Sequence, residues 1–353
     1  MESSSPRRAP AAASVLGPCR ALSARGTLEG VRGRQVIRAQ ASPHRVTAMS
    51  PQHRLGRWLQ AHPLVGSVLI TVLAGVFLSM THLIGFRELI GDPDDVPVRL
   101  IDVGFRMTMG ALLVLLVVPL LLGDAPRPGW LRRYLAHMRV SMGPSPGKTA
   151  TVAVLSVVVL LVILMVGAVA LGEFDSDVGV LVAGDQWVIL LLALVPGIWE
   201  ELTFRGVILG NLQPGFPPIK AVVASSVLFG LYHLSNLVAW DDPIEVLFGV
   251  ILATIFGLGW GYAVIMADSL LPGVFLHYMF NSLLAAPLFF ASGTNDVLAG
   301  PFFLVLIVGF PTSTILITWL VFGRRNTVSP APVTPADPKG SAPDASMTRS
   351  DPE

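Results

Sequence analysis

Long runs of apolar residues separated by short polar segments make up most of the chain from residue 64 onward. Each run is long enough, at 1.5 Å per helical residue, to cross a hydrocarbon core of about 30 Å. The pattern predicts an all-α fold, a polytopic membrane helical bundle with about eight transmembrane helices. These spans are predicted at residues 64–86, 103–122, 150–171, 187–209, 219–239, 245–266, 270–290 and 301–322.

Composition supports a membrane location. The chain is 53% hydrophobic and only 13% charged, with a mean hydropathy of +0.68. Too little polar surface remains to cover a soluble domain, so the chain is expected to be an integral membrane protein surrounded by the lipid bilayer. A net charge of +1 with basic residues clustered in loops gives no sign of a nucleic-acid partner, and none is expected. The single cysteine, Cys19, allows no internal disulfide.

The two ends of the chain differ from its middle. Residues 1–60 are rich in Arg, Ala, Ser and Pro and lack a signal-peptide core, so we expect a disordered extension. It fits a transit peptide or a start placed upstream of Met49, and the second interpretation is favoured. Residues 324–353 are expected to be a disordered cytoplasmic tail. Between them we expect the first three transmembrane helices at 61–186, a catalytic core at 187–290 and the last helix at 291–323.

Charge alternates between successive loops and predicts the orientation. Basic segments contain Arg54, Arg57, Arg127, Arg132, Arg133, Arg139, Lys148, Lys220, Arg324 and Arg325. The intervening loops are acidic, with Asp92, Asp94, Asp95, Glu173, Asp175, Asp177, Asp241 and Asp242. Because cytoplasmic loops collect Lys and Arg, an even number of spans with both termini in the cytoplasm fits this pattern.

Polar residues at helical spacing interrupt three of the apolar runs. An ionisable side chain at bilayer depth costs roughly 2.5–3.5 kcal/mol even on a lenient scale, so such residues indicate a functional site. Glu201 and Arg205 are four residues apart and are expected to pair, whereas Glu200 points about 100° away and is free to act. The other two motifs are Phe229 with His233, and His277 with Asn281.

Two kinds of chemistry are compatible with Glu200, His233, His277 and Asn281 in one cavity. A carboxylate can take a proton from water while His and Asn side chains orient that water and stabilise an oxyanion, which describes peptide hydrolysis. Alternatively, His233, His277 and Glu200 could hold a divalent metal such as zinc. Purely structural roles are also open, because buried ion pairs fix helix register and amides link membrane helices.

The three motifs together resemble the CPBP family of intramembrane endopeptidases, which comprises CAAX proteases and bacteriocin-processing enzymes and is also called Abi. The family pattern EExxxR, FxxxH and HxxxN is matched at every defining position within residues 187–285. The resemblance implies a conical catalytic cavity formed by the helices around 187–290, open to one leaflet and to the cytoplasmic side.

The resemblance also implies roles for the motif residues. Glu200 activates water with help from His233, while His277 and Asn281 stabilise the oxyanion or hold a metal. Glu201 belongs to the same catalytic group, and Arg205 and Phe229 support it. The family is described both as metalloprotease and as glutamate protease, so the metal question stays open.

The sequence thus predicts an intramembrane peptidase that acts on a membrane-embedded or lipidated protein or peptide. High usage of Ala, Gly, Val and Arg suggests a bacterial cell membrane, for which the prenylated CAAX substrate is not carried over. The alternative is a non-catalytic membrane protein, such as a bacteriocin-immunity or partner-binding scaffold. A proton-coupled carrier is a third interpretation, since buried Glu and His residues also relay protons.

Overall fold

The computed structural model describes residues 51–83, 90–92, 95–123, 129–171, 186–239, 242–284 and 296–323, and these residues form helices and short connections without a strand. The described helices are α1 (Pro51–Ala61), α2 (Pro63–Leu83), α3 (Val96–Leu112, continuing to Leu121), α4 (Trp130–His137), α5 (Pro146–Leu171), α6 (Gln186–Glu201, continuing to Leu212), α7 (Pro218–Tyr232, followed by a 3₁₀ segment to Val238), α8 (Pro243–Ala267), α9 (Leu271–Leu284) and α10 (Asp296–Leu304, continuing to Phe322). The helical polytopic bundle predicted from the apolar runs is confirmed.

Six helices in the described part of the chain are long and apolar enough to cross a membrane, compared with about eight predicted. These are α2, α3, α5, α7, α8 and α10. The remaining two predicted spans correspond to α6 and α9, the helices that contain Glu200 and His277. The described part of α9 has 14 residues and is about 21 Å long, and the rest of the predicted span, residues 285–290, lies outside the described residues.

Residues 51–61 form helix α1, although their composition predicted a disordered extension as far as residue 60. Two contacts fix this helix. Leu59 is buried, and the Gln60 side chain donates a hydrogen bond of 3.0 Å to the carbonyl of Leu122 at the end of α3. The apolar stripe on this helix of 11 residues is too short to be recognised as a helix from the sequence pattern. The rest of the predicted extension and the predicted tail, 1–50 and 324–353, lie outside the described residues.

The bundle has a basic end and an acidic end. Asn211 donates a hydrogen bond of 3.1 Å to the carbonyl of Pro63, which joins the ends of α2 and α6, and the Lys148 ammonium lies 5.8 Å from the ring centre of Phe322, which joins the ends of α5 and α10. The Arg139 side chain, before α5, donates a hydrogen bond to Gln213, directly after α6, so these four termini lie at one end. The described cations at this basic end are Arg54, Arg57, Arg132, Arg133, Arg139, Lys148 and Lys220. The opposite, acidic end carries Asp92, Asp95, Asp242 and Glu245, together with Arg99.

A π-helical segment, Leu202–Ile208, interrupts α6 directly after the two glutamates. A π turn frees backbone groups from the regular α-helical ladder, and such turns often occur at functional sites. Here Ser225 of α7 donates a hydrogen bond of 2.7 Å to the carbonyl of Phe204. The segment is therefore anchored to α7, the helix that leads to His233.

Candidate active site

A cavity of about 640 Å³ lies between α2, α3, α6 and the end of α7. Its walls are mixed, with apolar side chains such as Phe77, Leu113 and Trp199. The polar residues that line it are Thr81, Asp102, Arg106, Glu200, Thr203, Tyr232, His233 and Asn236. The structure therefore brings Glu200 and His233, which come from different helices, into one cavity.

The ring of His233 is oriented by its own helix. Its Nδ1 lies 2.9 Å from the carbonyl oxygen of Phe229, one helical turn earlier. A carbonyl oxygen can only accept a hydrogen bond, so Nδ1 carries the proton. In the neutral ring Nε2 then has a free lone pair, which can accept a proton or a hydrogen bond from water.

A second polar group, fully buried, lies beside the cavity. Arg205 Nη1 is 3.0 Å from Glu201 Oε1, as the four-residue spacing predicts, and both side chains are at most 1% exposed. The same oxygen lies 3.0 Å from Nδ1 of His277 on α9. The guanidinium also packs on the ring of Phe229, 4.1 Å from its centre. Glu201 therefore joins α6 to α9, and Arg205 joins α6 to α7.

His277 links the two glutamates. Its Nδ1 contacts Glu201, and its Nε2 lies 3.7 Å from Oε2 of Glu200, whose side chain is 14% exposed. The imidazole also stacks on Trp260 of α8, with ring centres 4.5 Å apart. Tyr232 lies beside Glu200 in the cavity wall. The carboxylate of Glu200 is thus held between a buried His and the cavity.

Of the motif residues expected in the site, only Glu200 and His233 line this cavity, and the others, Glu201, Arg205, Phe229, His277 and Asn281, do not. His277 is 4% exposed and packs against the opposite side of α6, and Asn281 is half-buried one turn further along α9. The donors that do line the cavity include Arg106, His233 and Asn236. A direct oxyanion contact from His277 or Asn281 is therefore not visible in this arrangement, and their assigned role stays a prediction.

The described residues contain no group of three or more His, Cys, Asp or Glu side chains able to hold a metal ion. His277 already directs both of its ring nitrogens at carboxylates, and His233 uses Nδ1 for a backbone carbonyl. The three predicted ligands, His233, His277 and Glu200, are thus not arranged as a ligand set.

An ion pair on α3 faces the cavity and was not singled out from the sequence. Arg106 Nε lies 3.0 Å from both carboxylate oxygens of Asp102, which is 1% exposed. The pair lies at the edge of the predicted second span, where the intramembrane-charge argument used for Glu200 applies equally. The sequence therefore contains the signal, two opposite charges four residues apart, but this pair belongs to no known motif.

The cavity lies in the half of the bundle toward the acidic end. In α2 and α7 its lining residues run from Ala74 to Thr81 and from Tyr232 to Ala239, next to the ends of these segments. In α3 and α6 they stop at Leu113 and Phe204, two turns before the basic end. The expectation of a cytoplasmic opening and the assignment of the basic end to the cytoplasm therefore conflict.

Replacing Gly273 of α9 by alanine is expected to impair both stability and any activity that depends on Glu200. A Cβ atom there would lie 2.6 Å from Oε2 of Glu201, so the buried carboxylate, which also contacts His277, would have to shift. Such overpacking costs about 1–3 kcal/mol of folding free energy. Thermal unfolding of the detergent-purified variant measures the effect.

Gly249→Ala is the matched control, because Gly249 lies in helix α8 and no atom lies within 4 Å of the place that an added methyl group would take. Alanine is preferred over glycine within helices, so this control is expected to be neutral or slightly stabilised. Equal stability of the Gly273 variant and the control would contradict the tight contact with Glu201.

Comparison with known proteins identifies the segment that carries this arrangement. Residues 183–283 match the family model described as type II CAAX prenyl endopeptidase Rce1-like. No curated protein matches the chain, and no solved structure does. The matched segment contains α6 to α9 and all three polar motifs, whereas α2 and α3, which complete the cavity, lie outside it. Residues 183–283 thus match the Rce1-like CAAX prenyl endopeptidase model, and the resemblance of the chain to the CPBP family is confirmed.

Proposed function

We propose that this protein is an intramembrane endopeptidase in which Glu200 activates a water molecule to hydrolyse a peptide bond. The observation that carries the proposal is that Glu200 and His233, from two different helices, line the same cavity. The Rce1-like match over residues 183–283 supports an endopeptidase of the CAAX protease type.

The contacts of Glu200 and His233 support a division of roles. Glu200 takes a proton from water as the water oxygen bonds to the carbonyl carbon of the substrate. His233 accepts a hydrogen bond from the same water through Nε2, because its Nδ1 proton is held by the carbonyl of Phe229. When the carbon–nitrogen bond breaks, Glu200 returns the proton to the leaving amine.

The buried group beside the cavity positions the base. His277 lies behind Glu200, with its Nε2 3.7 Å from the carboxylate, and Glu201 in turn holds His277 through a contact of 3.0 Å. Arg205 compensates the charge of Glu201 in a region without solvent contact. A fixed carboxylate needs no reorganisation during the reaction, which is how preorganised polar groups lower a barrier.

The substrate is proposed to be a peptide segment of a membrane-embedded or lipidated protein. The cavity lies inside a bundle whose long helices span the bilayer, so a substrate tethered to the membrane is already concentrated near it. Its mixed lining accommodates an extended peptide, with apolar side chains against Phe77 and Leu113 and the peptide bond near Glu200.

His233→Gln is expected to lower kcat/KM about 10²-fold for a fluorogenic peptide that the detergent-purified protein cleaves, because a positioned acid–base group contributes at least this much. His62→Gln is the matched control. His62 makes the same Nδ1 contact to a carbonyl one turn earlier, at 2.8 Å from Trp58, but it is exposed and outside the cavity. Equal activity of the two variants would remove His233 from the mechanism.

Chelator added to the same assay separates the two mechanisms considered for the family. The donor arrangement predicts unchanged turnover with chelator. If the chelator abolishes turnover and added zinc restores it, the protein is a metalloprotease. That result would overturn the proposal that Glu200 activates water without a metal. The non-catalytic alternative instead expects a biological function that survives both Glu200→Gln and His233→Gln.

A further inference from the structure

A short helix closes the basic end of the bundle beneath the cavity. Helix α4 follows α3 and places Tyr134, which is 4% exposed, so that its hydroxyl donates a hydrogen bond of 2.8 Å to the carbonyl of Val114. Met138 is fully buried and packs against Gly206 of α6, where a Cβ atom would lie 3.1 Å away. Side chains of this segment therefore fill the space between the cavity and the basic end.

The chain after α4 is tied to the opposite side of the same end. The Arg139 side chain donates a hydrogen bond of 2.8 Å to Asp268, and its carbonyl accepts one of 3.0 Å from the amide of Leu270. Ser269 adds a hydrogen bond to the carbonyl of Ser141. These contacts connect the segment after α4 to the turn between α8 and α9, so the closure spans the bundle.

Toward the acidic end the cavity continues to the ends of its helices. Thr81 lies in the last turn of α2, and Ala239, which is exposed, directly follows the 3₁₀ segment after α7. Asp242, at the N-terminus of α8, lies three residues beyond Ala239. Among the residues that the structure describes, the cavity therefore extends to the surface near the acidic residues and not near the basic ones.

The distribution of charged residues indicates on which side of the membrane the cavity opens. Lys and Arg concentrate on the cytoplasmic side of membrane proteins, and the described Lys and Arg residues other than Arg99, Arg106 and the buried Arg205 lie at the closed end. We infer that the cavity opens on the face opposite the cytoplasm and that the substrates are extracytoplasmic segments of membrane-anchored polypeptides. The side of opening follows from the geometry and charges alone, while the nature of the substrate rests on the proposed function.

The opening expected by resemblance lies on the other side of the membrane. A cytoplasmic opening would require the basic loops to lie outside, against the usual charge bias, or a path through the segment that contains Tyr134 and Met138. Both of these residues are buried in the structure, and each contacts a different helix of the bundle. An extracytoplasmic opening requires neither a reversed charge bias nor a path through this segment.

Cysteine labelling tests the side of opening. In the full chain with Cys19→Ser, we would compare Ala239→Cys at the cavity rim with Ala136→Cys at the basic end, since both alanines are exposed. A membrane-impermeant maleimide on intact bacterial host cells is expected to label Ala239→Cys at least tenfold more than Ala136→Cys. Ala136→Cys should react only after permeabilisation. The reverse pattern, or an Ala239→Cys variant that stays unreactive after permeabilisation, would overturn the inference.

A paired substrate experiment tests the second half of the inference. Two membrane-anchored reporters would carry the same cleavable peptide, one on the extracytoplasmic side of its anchor and one on the cytoplasmic side. At least tenfold preference for the extracytoplasmic reporter is expected. Equal cleavage, or preference for the cytoplasmic one, would overturn the substrate assignment. Labelling needs no catalysis, so an unchanged labelling pattern with no cleavage of either reporter would contradict the proposed function and leave the side of opening intact.

Discussion

Glu200→Gln is expected to lower kcat/KM for peptide cleavage by about 10²–10⁴-fold, the range that a positioned general base contributes. The amide keeps the shape of the side chain but cannot take a proton from water. Because Glu200 lies at the cavity wall and is partly exposed, the fold should tolerate the change. The measurement is single-turnover cleavage of a fluorogenic peptide by the purified variant, with thermal unfolding recorded in parallel.

Glu245→Gln makes the same chemical change at an exposed position in the first turn of α8, outside the cavity, and should keep wild-type turnover. Retained proteolysis in the Glu200 variant would exclude Glu200 as the base. If neither the wild-type protein nor any variant cleaves a broad peptide library, while a biological function survives Glu200→Gln, the non-catalytic scaffold becomes the better description.

Arg205→Met is expected to destabilise the protein by about 3–5 kcal/mol, because it leaves the carboxylate of Glu201 buried without its cation. The effect should be large here, since Glu201 is 0% exposed and its Oε2 has no hydrogen-bond partner among the described residues. The variant also lacks the contact between the guanidinium and the ring of Phe229, which lowers its stability further. Unfolding in detergent, followed by temperature or denaturant, reports the change.

The double variant Glu201→Gln with Arg205→Met distinguishes charge compensation from packing. Replacing both partners of a buried pair is often near neutral, so the double variant should recover most of the stability lost in Arg205→Met. A double variant as unstable as the single one would show that Arg205 acts through shape and ring contacts, and that the pairing with Glu201 contributes little.

The helical membrane bundle could be predicted from the sequence because long apolar runs have few other stable arrangements in a bilayer, where every backbone group needs an internal partner. The pairing of Glu201 with Arg205 followed from spacing alone, since residues four apart share a helix face.

Contacts between helices were harder to anticipate. The ion pair of Asp102 with Arg106 lies outside the motifs, and its position opposite Glu200 depends on how α3 packs on α6. His277 was expected in the cavity because its motif is part of the family pattern. In the structure it lies behind Glu200, since α9 packs on the side of α6 that carries Glu201.

By itself the sequence determined the membrane class, the basic and acidic ends, and the three polar motifs, because each of these depends only on composition and local periodicity. Only the tertiary structure decided that Glu200 and His233 share a cavity while Glu201, Arg205 and His277 form a buried group beside it. It also decided that the basic end is closed by Tyr134 and Met138. These outcomes depend on which faces of distant helices pack together, and a hydrophobic pattern along one helix does not specify its neighbours.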